Sequence, residues 1–223
     1  MRFLFLLIPL YFGTIQLFSC TPDRMFNLDP LVYKTQYPGI KLQKFSVCDI
    51  SSDTTHKLIF LRSQKKLLWY QNNKLFKEIN AVSGRGNLPD KSKEGDQSTP
   101  LGMFYITHKN PNSSFYRSLG ISYPNEEDAS RGLREKLIDL KQYHAIRSAI
   151  KQKKLPPQDT VLGSHIMLHG EPNSLNSLNF LGQLKSKAMT MINWTNGCVA
   201  VSNKEMLPLF ETVEIGSTIA ILP

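Results

Sequence analysis

The sequence predicts a mainly β domain with inserted helices. Three observations carry this prediction. Thirteen glycines and thirteen prolines punctuate the 223 residues and separate runs rich in Val, Ile and Thr. Gln71-Asn72-Asn73-Lys74 is a turn signal between two apolar runs, the pattern of a hairpin. Helical spacing of apolar residues is concentrated in one stretch, 126–154.

The elements are taken in chain order. Residues 1–19 read as an export leader. Arg2 gives a positive start, Phe3 to Leu10 is a short apolar run, and Ser19 is small. The run ends at Leu17-Phe18-Ser19-Cys20, which resembles a bacterial lipobox whose cysteine is lipidated; Phe18 departs from it. A cleaved signal peptide and an uncleaved anchor are the alternatives, and all three export the chain. Residues 20–54 read as a tether and approach segment, with Pro22, Pro30, Pro38 and Gly39 breaking regular structure and a strand over 45–50. Strands are then expected over 58–61, 66–70, 75–82 and 101–107, with a long polar loop from Ser83 to Gly95. Leu133, Leu137 and Leu140, then Ile146 and Ile150, recur at helical spacing, so one or two helices fill 126–154 until Pro156-Pro157. His165 to His169 reads as a strand, and a short helix is expected over 178–187. Ser202 with Glu205 three residues on suggests a capping box for a helix reaching Phe210. Residues 216–223 read as a closing strand.

The formal net charge is +9. In an exported chain this fits an anionic envelope: acidic headgroups, wall polymers or peptide carboxylates. No basic stripe interleaved with aromatics points to nucleic acid. Lys151, Lys153 and Lys154 lie at an expected helix end, where cations suit the macrodipole. No Cys/His cluster has zinc spacing and no glycine loop cradles phosphate, so no metal and no cofactor are expected.

Of the three cysteines, Cys20 is the lipidation candidate. Cys48 and Cys198 could pair in an oxidising compartment, and Cys48 could equally be a small buried hydrophobe. Cys198 follows Gly197 between a polar run, Trp194-Thr195-Asn196, and an apolar one, Val199-Ala200-Val201. A thiol is mostly protonated at neutral pH and needs a base. His169, closing the run Ile166-Met167-Leu168, is the candidate. Gly170 can lend a backbone carbonyl to orient it. Gly197 allows close backbone approach, and N–H groups at the cysteine, supplied by a strand-to-helix transition just after it, could hold an oxyanion. Chain order narrows the chemistry. Papain-like folds place cysteine before histidine. Sortases place histidine first but use a later arginine, and no arginine follows Arg147.

Three segments together resemble the L,D-transpeptidase (YkuD) catalytic domain. They are Gly95-Asp96-Gln97-Ser98-Thr99-Pro100-Leu101-Gly102-Met103-Phe104-Tyr105-Ile106, Ile166-Met167-Leu168-His169-Gly170, and Thr195-Asn196-Gly197-Cys198. The resemblance covers residues 55–223 and implies a β-sandwich-like domain of mixed sheets. It implies Cys198 as nucleophile, His169 as general base, Gly170 as orienting carbonyl and Gly197 in the oxyanion region. It implies acyl transfer on peptidoglycan stem peptides through a thioester, resolved by an amine or by water. Asn196 and Ala200 depart from many members. Trp194-Thr195-x-Gly-Cys-x-Ala-Val and Tyr123-Pro124-Asn125 look more like a branch that includes an amidase releasing a wall-bound lipoprotein. Hydrolysis is therefore the alternative to cross-linking, and a non-catalytic wall-binding lipoprotein is the alternative outside enzymes.

Thr195, Asn196, Trp194 and Tyr123 are candidates for substrate contact; Trp194 and Tyr123 could instead pack beneath the cleft. His165, four residues before His169, reads as structural or as support for the site. Asp96 and Thr99 read as turn and strand-start residues. Arg85 reads as a solvated loop arginine, with binding of a substrate carboxylate as the alternative. The partners implied are stem peptides, a wall-attached lipoprotein, and a membrane reached through lipid on Cys20 and facing the periplasm or wall.

Overall fold

The computed structural model describes residues 25–27, 44–46, 54–87, 89–175 and 188–223. The leader, Cys20, Cys48 and the helix expected over 178–187 lie outside these residues. Within the segment read as a tether, β1 (Met25–Asn27) and β2 (Lys44–Ser46) pair antiparallel.

Eight strands then close a ring in the order β10-β3-β4-β5-β9-β8-β7-β6. They are β3 (His56–Leu61), β4 (Lys66–Gln71), β5 (Lys74–Val82), β6 (Gly102–Ser113), β7 (Tyr116–Ile121), β8 (Met167–His169), β9 (Val199–Val201) and β10 (Thr218–Leu222). Two long strands each serve two sheets. The first half of β6 pairs with β10 and its second half with β7, the register shifting after Ile106. Most of β5 pairs with β4, and its last residues, Ala81 and Val82, pair with β9. The result is a closed barrel whose two mixed sheets share both long strands, the mainly β form expected, closed as a barrel and not laid out as a sandwich. The apolar face of each strand fills the space between them, with Leu58, Phe60, Leu67, Leu119, Leu168, Val199 and Ile219 all fully buried.

The hairpin β4–β5 turns where expected. Asn72 and Asn73 take φ of 50° and 63°, the left-handed region Asn tolerates, which gives the turn the twist a two-residue hairpin loop needs.

Between β7 and β8 the chain leaves the ring for α1 (Glu126–Arg134) and α2 (Leu140–Lys151). Both start with reciprocal capping boxes, Asn125 with Asp128 and Asp139 with Gln142. They build a separate small core from Ala129, Ile138, Ile146 and Leu162, with Leu133, Leu137 and Ile150 against it. Leu140 is an exception to the expected stripe: it is the first residue of α2 and stands exposed.

α3 (Asn203–Thr212) covers the ring through Met206 and Leu209. Its expected capping box at Ser202 does not form, since the Ser202 side chain makes no cap hydrogen bond. The Glu171 carboxylate, from the segment after β8, accepts the Asn203 N–H at 3.2 Å instead. A carboxylate suits a helix N-terminus better than a hydroxyl does, because it also meets the dipole.

Candidate active site

The site is built on β8 and β9, which lie side by side and parallel. Leu168 stands opposite Val199, and His169 opposite Ala200. Strand alternation then sorts the side chains. Leu168, Val199 and Val201 enter the core. His169, and Cys198 just before β9, fall on the other face, one diagonal apart. There both line a cavity of about 570 Å³.

The strand at β8 is shorter than the sequence suggested. His165 has a φ of 54° and lies before the strand, although its side chain also lines the cavity. Its carbonyl accepts a weak hydrogen bond from the Cys198 thiol at 3.5 Å. The segment after Cys198 also differs from expectation. It is the buried strand β9, and α3 begins only at Asn203, so no helix N-terminus adjoins the thiol.

His169 Nδ1 lies 2.6 Å from the Gly170 carbonyl oxygen. A carbonyl oxygen can only accept, so Nδ1 carries the proton. In the neutral ring Nε2 then presents its lone pair. Phe115 lies over the ring with centroids 4.6 Å apart, and Trp194 meets it edge-on at 5.6 Å. Under this cover His169 is only 4% exposed. Burial lowers its pKa to about 4, against the bond to Gly170, which favours the charged form. Burial likewise pushes the Cys198 thiol up, opposed by the Met167 backbone and the charge of Lys91. At neutral pH the resting site therefore holds a thiol and a neutral imidazole rather than an ion pair.

Gly170 is held from behind. Glu171 N donates to Asn203 Oδ1 at 2.7 Å, and Asn203 N donates to Glu171 Oε2. This reciprocal pair ties the residue after the orienting carbonyl to the start of α3. Neither residue carried a signal of this role in the sequence, because the partners lie 32 positions apart. Phe115 was also missed; it sits in the polar turn joining β6 to β7, where the sequence shows only loop character.

The cysteine turn rests on the Gly95–Leu101 segment. Thr195 Oγ1 donates to the Cys198 carbonyl at 2.7 Å and accepts the Gly197 N–H at 3.2 Å. The Gly197 N–H is thus engaged in the turn, while the Met167 backbone meets the thiol from β8. Gly197 has a φ of 128°, and a Cβ there would come within 2.9 Å of the Ser98 carbonyl oxygen. Asp96 shapes that neighbouring loop by accepting from Lys91 Nζ and from the N–H groups of Ser92, Lys93 and Ser98. Burial would raise the Asp96 pKa, but these bonds together hold it below the usual carboxylate range. Thr99 Oγ1 accepts the Gly84 N–H at 2.7 Å and so fixes a second loop beside the site.

Thr195, Asn196 and Trp194 all line the cavity. Trp194 Nε1 donates to the Met189 carbonyl, which sets the ring against His169. Tyr123 does not belong to the site. Its ring is fully buried and its hydroxyl donates to the Leu162 carbonyl at 2.8 Å, so it anchors the helical insertion. The sequence could not separate these roles, because a buried tyrosine and a cleft tyrosine both sit beside apolar residues. Arg85 also lines the cavity. Among the described residues no group of three or more His, Cys, Asp or Glu side chains could hold a metal ion.

Residues 55–221 match the model of the YkuD family, the L,D-transpeptidase catalytic domain. No curated protein matches. Among solved structures, Bd1075 of Bdellovibrio bacteriovorus is similar at 21% identity, with a TM-score of 0.44 over 77% of this chain and 50% of that one. The helical cell shape determining protein Pgp2 of Campylobacter jejuni is similar at 18% identity, with a TM-score of 0.46 over 77% and 49%. An L,D-transpeptidase of Xylanimonas cellulosilytica is similar at 15% identity, with a TM-score of 0.42 over 85% and 76%. The chain spans about half the length of the first two.

Proposed function

The chain belongs to the L,D-transpeptidase catalytic domain family, and from that premise we propose that it is a cysteine acyltransferase acting on peptidoglycan stem peptides. The observation that carries this reading is the pair Cys198 and His169 on one face of two parallel strands, with His169 Nδ1 fixed on the Gly170 carbonyl. A stem peptide enters the cavity with its scissile carbonyl at Cys198. His169 Nε2 takes the thiol proton as Sγ attacks the carbonyl carbon. The Cys198 N–H faces the oxygen on which negative charge collects. The C–N bond breaks, and the proton on His169 goes to the departing amine. This leaves a thioester. An acceptor amine gives a proton to His169 and attacks the thioester, the new amide forms, and the thiolate recovers the proton.

A neutral pair suits this sequence of steps. The imidazole must be unprotonated to accept, and the thiol need ionise only when substrate is in place. The Trp194–Phe115 cover excludes water from the base. Export, lipidation of Cys20 and envelope location complete the proposal and put the site next to its substrate.

Purified muropeptides incubated with the protein provide the test. New L,D-cross-linked dimers, absent with Cys198→Ala and His169→Ala, support transpeptidation. Shortened or released stems without dimers assign hydrolysis, the reaction of a lipoprotein-releasing amidase. No product, together with a Cys198 that iodoacetamide labels no faster than a free thiol, refutes the enzyme and leaves a wall-binding role.

A further inference from the structure

Arg85 stands out because its surroundings hold it at the cavity without using its charge. Among the described residues lining the cavity it is the one with a permanent charge; the rest are Asn, Ser, Thr, His, Cys, Met and aromatic side chains. Among the described residues no ion pair involves it. Its Nε donates to Gln97 Oε1 at 3.0 Å, which fixes the plane of the guanidinium and leaves the two terminal nitrogens for another partner.

The backbone beneath it is pinned to the cysteine box. Arg85 N donates to the Thr195 carbonyl at 3.0 Å, Thr195 N donates to the Ser83 carbonyl, and Gly84 bridges Thr195 in parallel. The residues on either side have no room for side chains. A Cβ on Gly84 would meet the Gln97 carbonyl oxygen at 2.1 Å, and one on Gly86 would meet the Asp96 carbonyl oxygen at 2.4 Å. Of Gly84-Arg85-Gly86, only the arginine can project, and it lines the cavity from an exposed position on its wall. Thr195 is held to the Arg85 backbone on one side and to the Cys198 carbonyl on the other, so the backbones that carry cation and nucleophile are bonded into one unit.

We propose that Arg85 is the specificity-determining carboxylate anchor of this cleft, gripping a free carboxylate of the stem peptide whose carbonyl Cys198 attacks. This rests on the acyltransferase reading and adds the chemistry of recognition to it. A guanidinium with its Nε engaged still presents two coplanar N–H donors, the spacing that fits a carboxylate. The anchored carboxylate fixes the register of the stem, and so selects which amide reaches the thiol. It can be the terminal α-carboxylate of the stem or a side-chain carboxylate along it; both offer the same two oxygens.

Binding without turnover tests this. The Cys198→Ala protein is titrated calorimetrically with a tetrapeptide stem, the same stem as its terminal amide, and the stem with its side-chain carboxylate amidated. The expected result is that one amidation weakens binding roughly 10- to 100-fold, the range for a hydrogen-bonded charged group. The amide that fails identifies the carboxylate. Adding Arg85→Gln should make all three ligands bind alike, at the weakened level, and Arg85→Lys should restore part of the discrimination. Equal binding of all three stems to Cys198→Ala, or discrimination that survives Arg85→Gln, would overturn the assignment while leaving acyl transfer intact. Failure of any stem to bind would overturn the functional reading along with it.

Discussion

Removing the ring of Phe115 should move His169 part of the way back to an ordinary histidine. The imidazole pKa is lowered from 6.5 to about 4, and burial is the first cause. That difference corresponds to about 3 kcal/mol in favour of the neutral ring. Phe115 lies 4.6 Å from the ring and is itself half-exposed, so Phe115→Ala opens the imidazole to water at little cost in core packing. Trp194 remains on the other side, so the pKa should rise toward, but not reach, 6.5. At pH 5.5 the native ring is roughly 3% protonated, and the variant approaches a mostly protonated ring. Linkage sets the sign for stability. The folded pKa lies below the unfolded one, so this group's contribution is intact above pH 6.5 and is lost as pH falls toward 4. The variant should lose most of that dependence. The assay is an NMR titration of the His169 ring, accompanied by denaturant unfolding at pH 7 and pH 4.5. A native ring that titrates near 6.5 would refute the burial argument. A variant ring that still titrates near 4 would show that the aromatic cover is not its cause.

The same geometry fixes three further outcomes. Asp96→Asn leaves Lys91, only 2% exposed, without its ion partner; the loss should be about 3–5 kcal/mol, seen as a thermal midpoint lower by roughly 2–4 °C per kcal/mol, and an unchanged midpoint would contradict it. Gly197→Ala forces a Cβ against the Ser98 carbonyl at a φ of 128°, so it should cost about 1–3 kcal/mol and slow iodoacetamide labelling of Cys198; labelling and melting like the native chain would remove the strain argument. Glu214 accepts from His56 Nδ1 at 2.6 Å and from Thr55; burial opposes these bonds but they hold its pKa down at about 2. Its contribution should be intact above pH 4.5 and lost as pH falls toward 2, so Glu214→Gln should destabilise the chain at pH 6 and not at pH 2 in parallel denaturant titrations.

The parts legible in the sequence share one property: their cause is local. The Asn72-Asn73 turn, the glycine before Cys198, and the carbonyl one residue after His169 are fixed by residues next to one another in the chain. The features that escaped reading depend on distant partners. β7 was not expected, because Tyr-Arg-Ser-Leu-Gly-Ile lacks clean alternation; it exists by pairing with β6 on one side and β8 on the other. β6 continues past Thr107 through Asn110-Pro111-Asn112, a composition that reads as a turn, and that extension carries Phe115 to the base. Ser202 had the composition of a cap, but a carboxylate from far upstream in the chain took the task. Tyr123 stayed open between cleft and core because adjacency to apolar residues does not say which side of a wall they form.

Ala200 is where the sequence departed from many family members, and the register gives that departure a meaning. Ala200 is directly opposite His169 on the neighbouring parallel strand and is nearly fully buried. Its methyl group therefore stands on the same face of the sheet as the imidazole, directly beside it. It is absent from the cavity wall, so it cannot contact substrate in this arrangement. A longer polar side chain at 200 would have to share that space with the imidazole and would compete for its lone pair. With alanine there, β9 adds no polar group beside the base, whose polar neighbours are Ser118, opposite it on β7, and the Gly170 carbonyl. Recognition of a charged substrate must then come from elsewhere on the wall. The Ser83–Arg85 strip, bonded to Thr195, is the part of that wall that offers a permanent charge. On the proposed reading, the small residue at 200 adds no polar group to His169 from β9, and the charge offered to substrate is that of Arg85.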